Sequence, residues 1–546
     1  MNRLLPLLIL GAVACCAQPL IYAHGIVNAA SSLTYGIPGG GIARGSIFTI
    51  YGKNLGPTAP VSAGSYPLGT TLGTVSVQVT DGVSRLAALP IYVSASQVSA
   101  IMPSTSPLGT VSVRVTVNTT RSNSIPVRVV ANSPGLYSVR GTGVGPGVIQ
   151  NFVTQASQPV NSNVVAATPG QTVTLWANGL GAVANDAIAP SAGDLPVNVE
   201  VFVGGKAARR LYSGRAPCCS GTDQIVFQLP TDAPLGCWVP VYLRTANTVI
   251  SNVVTMSITS DGSACASGEG LAGSAIIQGG ALGLLAPLRS DIRQASGTTN
   301  VDLRSDFLIA RLAPQVGGQF AFNTLFSLPP AGTCTAYSGA GDWFDGDASP
   351  DIGASGKSLN AGAFTVAGGS KSSSFNLPLS PFALGYLGSQ NPAIPTLPDT
   401  SMLVPGSYTA SAAGGADVPA FSVPFTMPAA PVWTNRDAIS VVDRGAGFTV
   451  NWSGGAGMTV AVAGGNVDLL NNATGVFLCM AAPGATSITI PPAILSNLPA
   501  GRGNPNYSKA VVFLVGASSP SAFTATKLDQ AFITPVTIIG KAVTIK

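Results

Sequence analysis

Residues 45–57 read GSIFTIYGKNLGP and residues 170–182 read GQTVTLWANGLGA. Each begins on a glycine, alternates apolar and polar residues, carries an aromatic (Tyr51, Trp176) and closes on a leucine turn (Leu55, Leu180). The echo continues downstream. QVSAIMPSTSPLGT (97–110) matches QIVFQLPTDAPLGC (224–237), and Ser122-Asn123 corresponds to Ser251-Asn252. Gly45 and Gly170 lie 125 residues apart, Gln97 and Gln224 lie 127 apart, and Ser122 and Ser251 lie 129 apart. Constant order with so little drift means that a whole domain was copied once, since solenoid repeats have shorter periods.

Within each copy the periodicity is two. Val75, Val77 and Val79 alternate with Ser76 and Gln78, and Val111, Val113, Val115 and Val117 alternate with Ser112, Arg114 and Thr116. In the second copy Val197, Val199, Val201 and Val203 do the same, ending at Gly204-Gly205. Such alternation marks strands with one buried and one wet face. Turn residues recur about every ten positions and no helical stretch of useful length intervenes, which predicts an all-β chain of tandem β-sandwiches. Thr49, Tyr51, Thr174 and Trp176 fall on strands. The G-x-N-L-G-type turn after them needs glycine where φ is positive. Leu55 and Leu180 are expected to plug the sandwich end. Tyr51 and Trp176 are expected to pack in or near the core, the alternative being a sugar-binding surface.

The pattern resembles a known family. G-x-x-F/V-T-I/L-Y/W-G/A-x-N/G-L-G followed by P-L-G-x-V-x-V is similar to the IPT/TIG immunoglobulin-like domain. NAASSLTYGIPGGGIARGSIFTIYGKNLGPT (28–58) with YVSASQVSAIMPSTSPLGTVSVRV (92–115) resembles tandem domains of uncharacterised secreted proteins from soil bacteria. YSGRAPCCSGTDQIVFQLP (212–230) with GCWVPV (236–241) does so as well. The resemblance covers about residues 26–265. It implies an immunoglobulin-like fold and export, with no agreed activity; such domains commonly serve as spacers and recognition modules.

The first residues agree with export. MNRLLPLLILGAVACCAQPLIYAHG places one Arg before an apolar run from Leu4 to Ala14, then small residues, as in a secretory signal peptide of residues 1–23. Cleavage after Ala17 or after Ala23 would suit it. A lipoprotein reading would acylate Cys15, although Ala12 is a poor first residue for that signal. No later apolar stretch is long enough to span a membrane; AIIQGGALGLLAPL (275–288) comes nearest and is broken by glycines and a proline. Charged residues make up 9% of the chain and the net charge is +5 over 546 residues, with Lys and Arg scattered, so nucleic acid is not an expected partner. The second half reads as strands too. PGSYTAS (405–411), GFTVNWSGG (447–455), MTVAVAGG (458–465), TSITIPP (486–492) and AVVFLVG (510–516) are separated by turns, and VPFTMPAAPVW (423–433) looks like a boundary. The expected division is therefore sandwiches at 26–132 and 133–265, a β-rich domain at 267–428 and a C-terminal sandwich at 431–546.

Reactive residues are scarce. The only histidine is His24, at the signal junction, which removes the imidazole that Ser-His-Asp and Cys-His catalysts need. Histidine-based zinc sites fall with it. Glutamate occurs only at Glu200, expected on a solvent-facing strand position, and Glu269, in a linker. Aspartates cluster once, in GDWFDGDASPDIG (341–353), where Asp342, Asp345, Asp347 and Asp351 fall together. Close carboxylates need solvent or a cation. The D-x-D-x-S-x-D spacing is loosely that of a calcium loop, with Pro350 where glycine is wanted and Gly356 where a bidentate Glu belongs. Calcium is thus the single cofactor the sequence raises, beside a solvated acidic loop. GTGVGPGV (141–148) lacks the strand–helix context and lysine of a phosphate loop and reads as a connector.

Export turns the cysteines toward disulfides. Six follow the signal: Cys218, Cys219, Cys237, Cys265, Cys334 and Cys479. Cys237 follows the P-L-G turn and Cys265 ends the same domain, so these two are the expected pair, leaving Cys334 for Cys479. Cys218-Cys219 departs from the resembled pattern. Adjacent Cα atoms sit about 3.8 Å apart, closer than ordinary disulfides prefer, so the readings are a loop staple or a vicinal bridge with a redox or ligand-clamp role. Together these features point to an exported, non-enzymatic protein of binding, adhesive or structural role, with a glycan or surface protein as partner. The alternative is a secreted hydrolase with an aspartate-based site in 267–428.

Overall fold

The computed structural model describes residues 18–34, 36–37, 39–265, 273–296, 299–324, 327–341, 358–368, 386–390, 403–504 and 506–546. They form an all-β chain with two short helices, Gly273–Gln278 and Pro492–Leu495. The first sandwich uses β1 (Leu20–Asn28), β2 (Ile47–Lys53), β3 (Val75–Thr80), β4 (Arg85–Val93), β5 (Gln97–Ile101), β6 (Gly109–Val117) and β7 (Ile125–Val130). One sheet runs β1–β2–β5–β4 and the other β3–β6–β7. This is the two-sheet strand partition of an immunoglobulin-like sandwich. Ile42–Ala43 lies parallel to β7, and β4 belongs to both sheets. Residues 85–88 pair with β3 and 89–93 with β5, the latter pairing shifting register between Pro90 and Tyr92.

The second sandwich repeats this. Its strands are β8 (Thr172–Asn178), β9 (Val199–Val203), β10 (Lys206–Arg215), β11 (Asp223–Gln228), β12 (Gly236–Thr245) and β13 (Val254–Ile258). β8–β11–β10 form one sheet and β9–β12–β13 the other, with β10 shifting register between Arg210 and Tyr212 as β4 does. The alternating valines supply both cores. Val75, Val77, Val79, Val111, Val113 and Val115 meet Phe48 and Ile50 in the first, and Val199, Val201 and Val203 meet Leu175 and Phe227 in the second. Leu55 and Leu180 are buried in these clusters. The residue before each leucine has positive φ, +55° at Asn54 and +90° at Gly179, so the turn accepts asparagine or glycine there.

The repeated Ser-Asn pair locks each sandwich. The Ile21 N–H donates to Asn123 Oδ1 (2.7 Å), and Asn123 Nδ2 donates to the Ile21 carbonyl (3.0 Å). Asn252 treats Leu136 identically, at 2.8 and 3.0 Å. Each serine hydroxyl meanwhile accepts from the penultimate strand: from the Val115 N–H in one copy and the Leu243 N–H in the other. The asparagine thus ties the first strand of one sheet to the last strand of the other.

Two expected boundaries change. The first sandwich begins at Leu20 and not at 26: Leu20 and Ile21 pair with Lys53 and Gly52, and Ile21 is a core residue. A cut after Ala23 would remove the residue that Asn123 clamps; a cut after Ala17 leaves it in place. The boundary near 428–431 does not separate two sheets. Gly280–Ser296 runs parallel to Val536–Ala542, and Cys334–Ala340 pairs with Ala473–Met480, so segments on both sides of it share one sheet. The start of the Pro-rich stretch 423–433 belongs to a strand, Phe421–Met427, pairing with Gly406–Ala412. Pro424 is accommodated because this strand is the edge of its three-stranded sheet, where a missing ladder donor is tolerated. Arg293 bridges Asp302 (2.7 Å) and also bonds Asp437, holding both carboxyls below their ordinary range through those hydrogen bonds. Arg436 joins Asp291 (3.0 Å), completing a charged seam across the same boundary.

Replacing Asn252 by Ala leaves the buried N–H and C=O of Leu136 without this partner. Urea unfolding should show a loss of about 1–3 kcal/mol, and an unchanged midpoint would remove the clamp from the account of sandwich closure.

Candidate functional site

Tyr51 and Trp176 are not core residues. Tyr51 is 40% exposed and Trp176 is half-buried, because their neighbours Ile50 and Leu175 take the inward side of the pleat. The sequence reading missed this because both flanks of each aromatic are apolar or small, which blurs the alternation. Tyr51 pairs across strands with Gln97, and Trp176 with Gln224. One strand further over stand Tyr92, opposite Ser99, and Tyr212, opposite Val226. Each copy therefore carries an aromatic paired with a glutamine on its outer sheet face and a tyrosine one strand further over, two residues along. The tyrosines follow the two register shifts, and both begin the quoted segments YVSASQ and YSGRAP.

The copies use the row differently. In the second, Trp176 Nε1 donates to Gln150 Oε1 (2.8 Å), and the Tyr212 hydroxyl donates to the Arg215 carbonyl (2.9 Å) and accepts from the Gly193 N–H (3.2 Å). That row is occupied by its own domain. In the first, Tyr22 on β1 adds a third aromatic: Ile21 points into the core, so Tyr22 points out and is 43% exposed, beside Leu20 at 45%. The hydroxyls of Tyr22, Tyr51 and Tyr92 bond to no protein group among the described residues, and partial burial pushes the Tyr51 hydroxyl pKa up. Between the rings the Gln97 amide donates to the Ser99 hydroxyl (3.2 Å), which lies 3.1 Å from the Thr49 hydroxyl; Thr49 and Ser99 are themselves buried.

The edge of this face is closed by the junction of the two sandwiches. Ile47, Leu89 and Ile101 are covered by Ala187 from the second domain. Asp186 accepts from the Ser104 N–H and hydroxyl, both at 2.7 Å. Behind it lies a buried ion pair, Arg215 to Asp223 at 2.8 Å, with side chains 3% and 0% exposed. Arg215 also donates to the Gly181 carbonyl (2.7 Å), and the Leu180 N–H donates to Asp223 (2.8 Å). Burial outweighs the attraction of Arg215 and pushes the Asp223 carboxyl up to about 6. The same burial, with Asp223 nearby, pushes the Tyr137 hydroxyl far up.

Other expected site residues fall as follows. Asp342, Asp345, Asp347 and Asp351 lie outside the described residues, as does Glu269. Among the described residues no three His, Cys, Asp or Glu side chains gather as a metal site. Glu200 is held by Arg244 through two hydrogen bonds of 2.7 Å. His24 stands exposed on the irregular stretch of β1. Disulfides join Cys237 to Cys265, Cys334 to Cys479 and Cys218 to Cys219. The first two lie in packed clusters, whereas Cys218 and Cys219 are exposed. No helix of the described residues is long and apolar enough to cross a membrane.

No family model matches the chain and no curated protein matches it. Solved structures similar to it include a tandem pair of titin immunoglobulin domains, at 8% identity and TM-score 0.13, covering 40% of this chain and 90% of that one. SGBP-B of the Bacteroides ovatus mixed-linkage glucan utilisation locus, solved with a mixed-linkage heptasaccharide, is similar at 12% identity and TM-score 0.13, with 86% and 89% covered. Domains 5–6 of the S-layer protein SbsC give 12% identity and TM-score 0.13, with 44% and 98% covered. At such scores these likenesses say nothing about activity, and the immunoglobulin-like assignment stands on the strand order.

Removing the Arg215 guanidinium leaves Asp223 buried without its cation. Arg215→Met should lower unfolding stability by about 3–5 kcal/mol, while Tyr51→Ala should change it by less than about 0.5 kcal/mol; equal losses would contradict the division between junction and surface. The raised Asp223 pKa also has a pH signature. The folded state holds the proton more tightly than the unfolded one, so this group favours the fold most below about pH 4 and progressively less as pH rises to 6. Thermal melts of Asp223→Asn should lack that decline; an identical pH profile would exclude it.

Proposed function

We propose that this chain is an exported, non-enzymatic β-sandwich protein that binds a carbohydrate polymer on the outer face of its first domain. The observation that carries the reading is the group Tyr22, Tyr51 and Tyr92 around Gln97, with Tyr22 and Tyr51 exposed, Tyr92 half-buried and all three hydroxyls without a partner among the described residues, whereas the aromatics of the second copy are engaged internally. Tyrosine presents a flat apolar ring with a polar tip, which is why it serves binding surfaces that are part wet and part dry. A pyranose ring offers the matching surface, C–H groups on its faces and hydroxyls at its rim. Adjacent strands lie about 4.8 Å apart and Tyr92 stands two residues along from the Tyr51–Gln97 pair, so the rings on β2 and β4, with β5 between them, are about 12 Å apart. That spacing spaces two rings along an extended polymer and leaves Gln97 to bond hydroxyls between them. The 9% charged content fits a neutral polysaccharide better than an anionic one. The signal-like N-terminal sequence, the disulfides and the proposed binding face support an extracellular or cell-surface location.

Affinity electrophoresis against a panel of neutral polysaccharides tests this with the full mature chain. At least one polymer should retard it, and Tyr51→Ala with Tyr92→Ala should weaken that binding tenfold or more while the melting temperature holds. Retardation that survives the double variant, or none across the panel, would end the proposal.

A further inference from the structure

The Cys218–Cys219 bridge differs from the other two in what it can contribute. A disulfide stabilises chiefly by closing a chain loop, and the effect grows with loop length. Cys237–Cys265 closes 28 residues and Cys334–Cys479 closes 145, whereas Cys218–Cys219 joins neighbours. It therefore restrains no loop of the unfolded chain, and stability does not account for it.

Its surroundings do suggest a purpose. The two cysteines sit at the tip of the β10–β11 hairpin, whose base is the buried pair Arg215–Asp223. The turn is held by the Ala216 N–H to the Thr222 carbonyl (2.9 Å), the Cys219 N–H to the Ala216 carbonyl (3.2 Å) and the Thr222 N–H to the Cys219 carbonyl (3.2 Å). The next two residues dock on the first sandwich. The Ser220 N–H donates to the Tyr66 hydroxyl (3.0 Å), and Gly221 lies so close to Ile47 that an added Cβ would come within 2.6 Å of its Cγ1. A cavity of about 180 Å³ adjoins, lined by the 183–191 loop, Arg215, Ser220 and Gly221. The bridge thus belongs to the turn that seats one sandwich on the other.

We propose that Cys218–Cys219 is a reversible redox site that sets the rigidity of the junction between the two sandwiches, with a dithiol reductant as its reaction partner. A thiolate of the dithiol attacks one exposed sulfur, forming a mixed disulfide and releasing the other cysteine as thiolate, which takes up a proton. The second thiol of the reductant then displaces the first cysteine, which is protonated in turn. Two electrons and two protons pass to the cysteines, and the dithiol leaves as a disulfide. Access selects the site: both sulfurs belong to exposed residues, whereas Cys237, Cys265 and Cys479 are buried and Cys334 is half-buried beside Cys479. Opening the bridge frees the peptide between the two cysteines, and with it the Cys219 N–H and carbonyl that shape the turn beneath Ser220 and Gly221.

The test titrates the native mature chain with a dithiol, traps thiols by alkylation and reads each cysteine by peptide mass spectrometry, with hydrogen exchange in parallel. Cys218 and Cys219 should be alkylated at reductant concentrations at least tenfold below those that open the other four. Amide exchange should rise at residues 47–49, 99–104 and 183–188 in the reduced protein and fall back on reoxidation. The Cys218→Ser, Cys219→Ser variant should show the raised exchange without reductant and no response to it. Simultaneous opening of all three bridges, or junction exchange indifferent to both reduction and the variant, would overturn the proposal.

Discussion

A single primary amide on each sandwich satisfies both backbone groups of a strand that belongs to the opposite sheet. Two stacked sheets are held mainly by non-directional burial, which fixes neither their register nor which edges meet. The amides of Asn123 and Asn252 supply that direction: donor and acceptor on one planar group can meet only one residue in one orientation. With the first strand so placed, the alternating valines behind it have a defined wall to pack against, and the serine before each asparagine registers the neighbouring strand. Everything outward of that closure, including the tyrosine row and the docking of one sandwich on the other, inherits its position.

Much of this was legible in the chain. The strict alternation at Val75–Val79 and Val199–Val203 declares both strand and burial, and the duplicated order of motifs declares two copies of one fold. The Ser-Asn echo was visible too, but its work was not, because a clamp acts between strands about a hundred residues apart and leaves no local periodicity. The exposure of Tyr51 was hidden for a different reason. Alternation predicts which of two neighbours points inward only when the neighbours differ in polarity, and Ile50-Tyr51-Gly52 gives little contrast. The mixed sheet of the second half was beyond local reading altogether. Its prolines and short strands look like a seam, whereas the pairing that crosses it is set by partners far away in sequence.

Duplication left two similar rows of side chains with different fates. In the second copy Gln150 and the Gly193 loop have grown onto the aromatic row, and in the first the equivalent surface lies open beside the junction. A duplicated fold can diverge in this way at little cost to its core, since the outward half of each strand is free of the packing constraints that fix the inward half. The buried Arg215–Asp223 pair marks the other side of that freedom. It lies where the two copies meet, and a charge placed there tolerates few substitutions of its partner.

The last large sheet carries a consequence for how the molecule is made. Its long hairpin, Gly280–Gln315, finds a neighbour in Val536–Ala542, at the far end of the chain. Contacts separated by so much sequence form late, after the loop between them has been closed. A chain delivered from its N-terminus can complete each sandwich as it emerges, but this sheet has a gap until Val536–Ala542 arrives. The second half therefore cannot close this sheet until residues 536–542 have slotted between Gly280–Ser296 and Ser508–Ser518, and until then both of those strands present an open edge to any other chain.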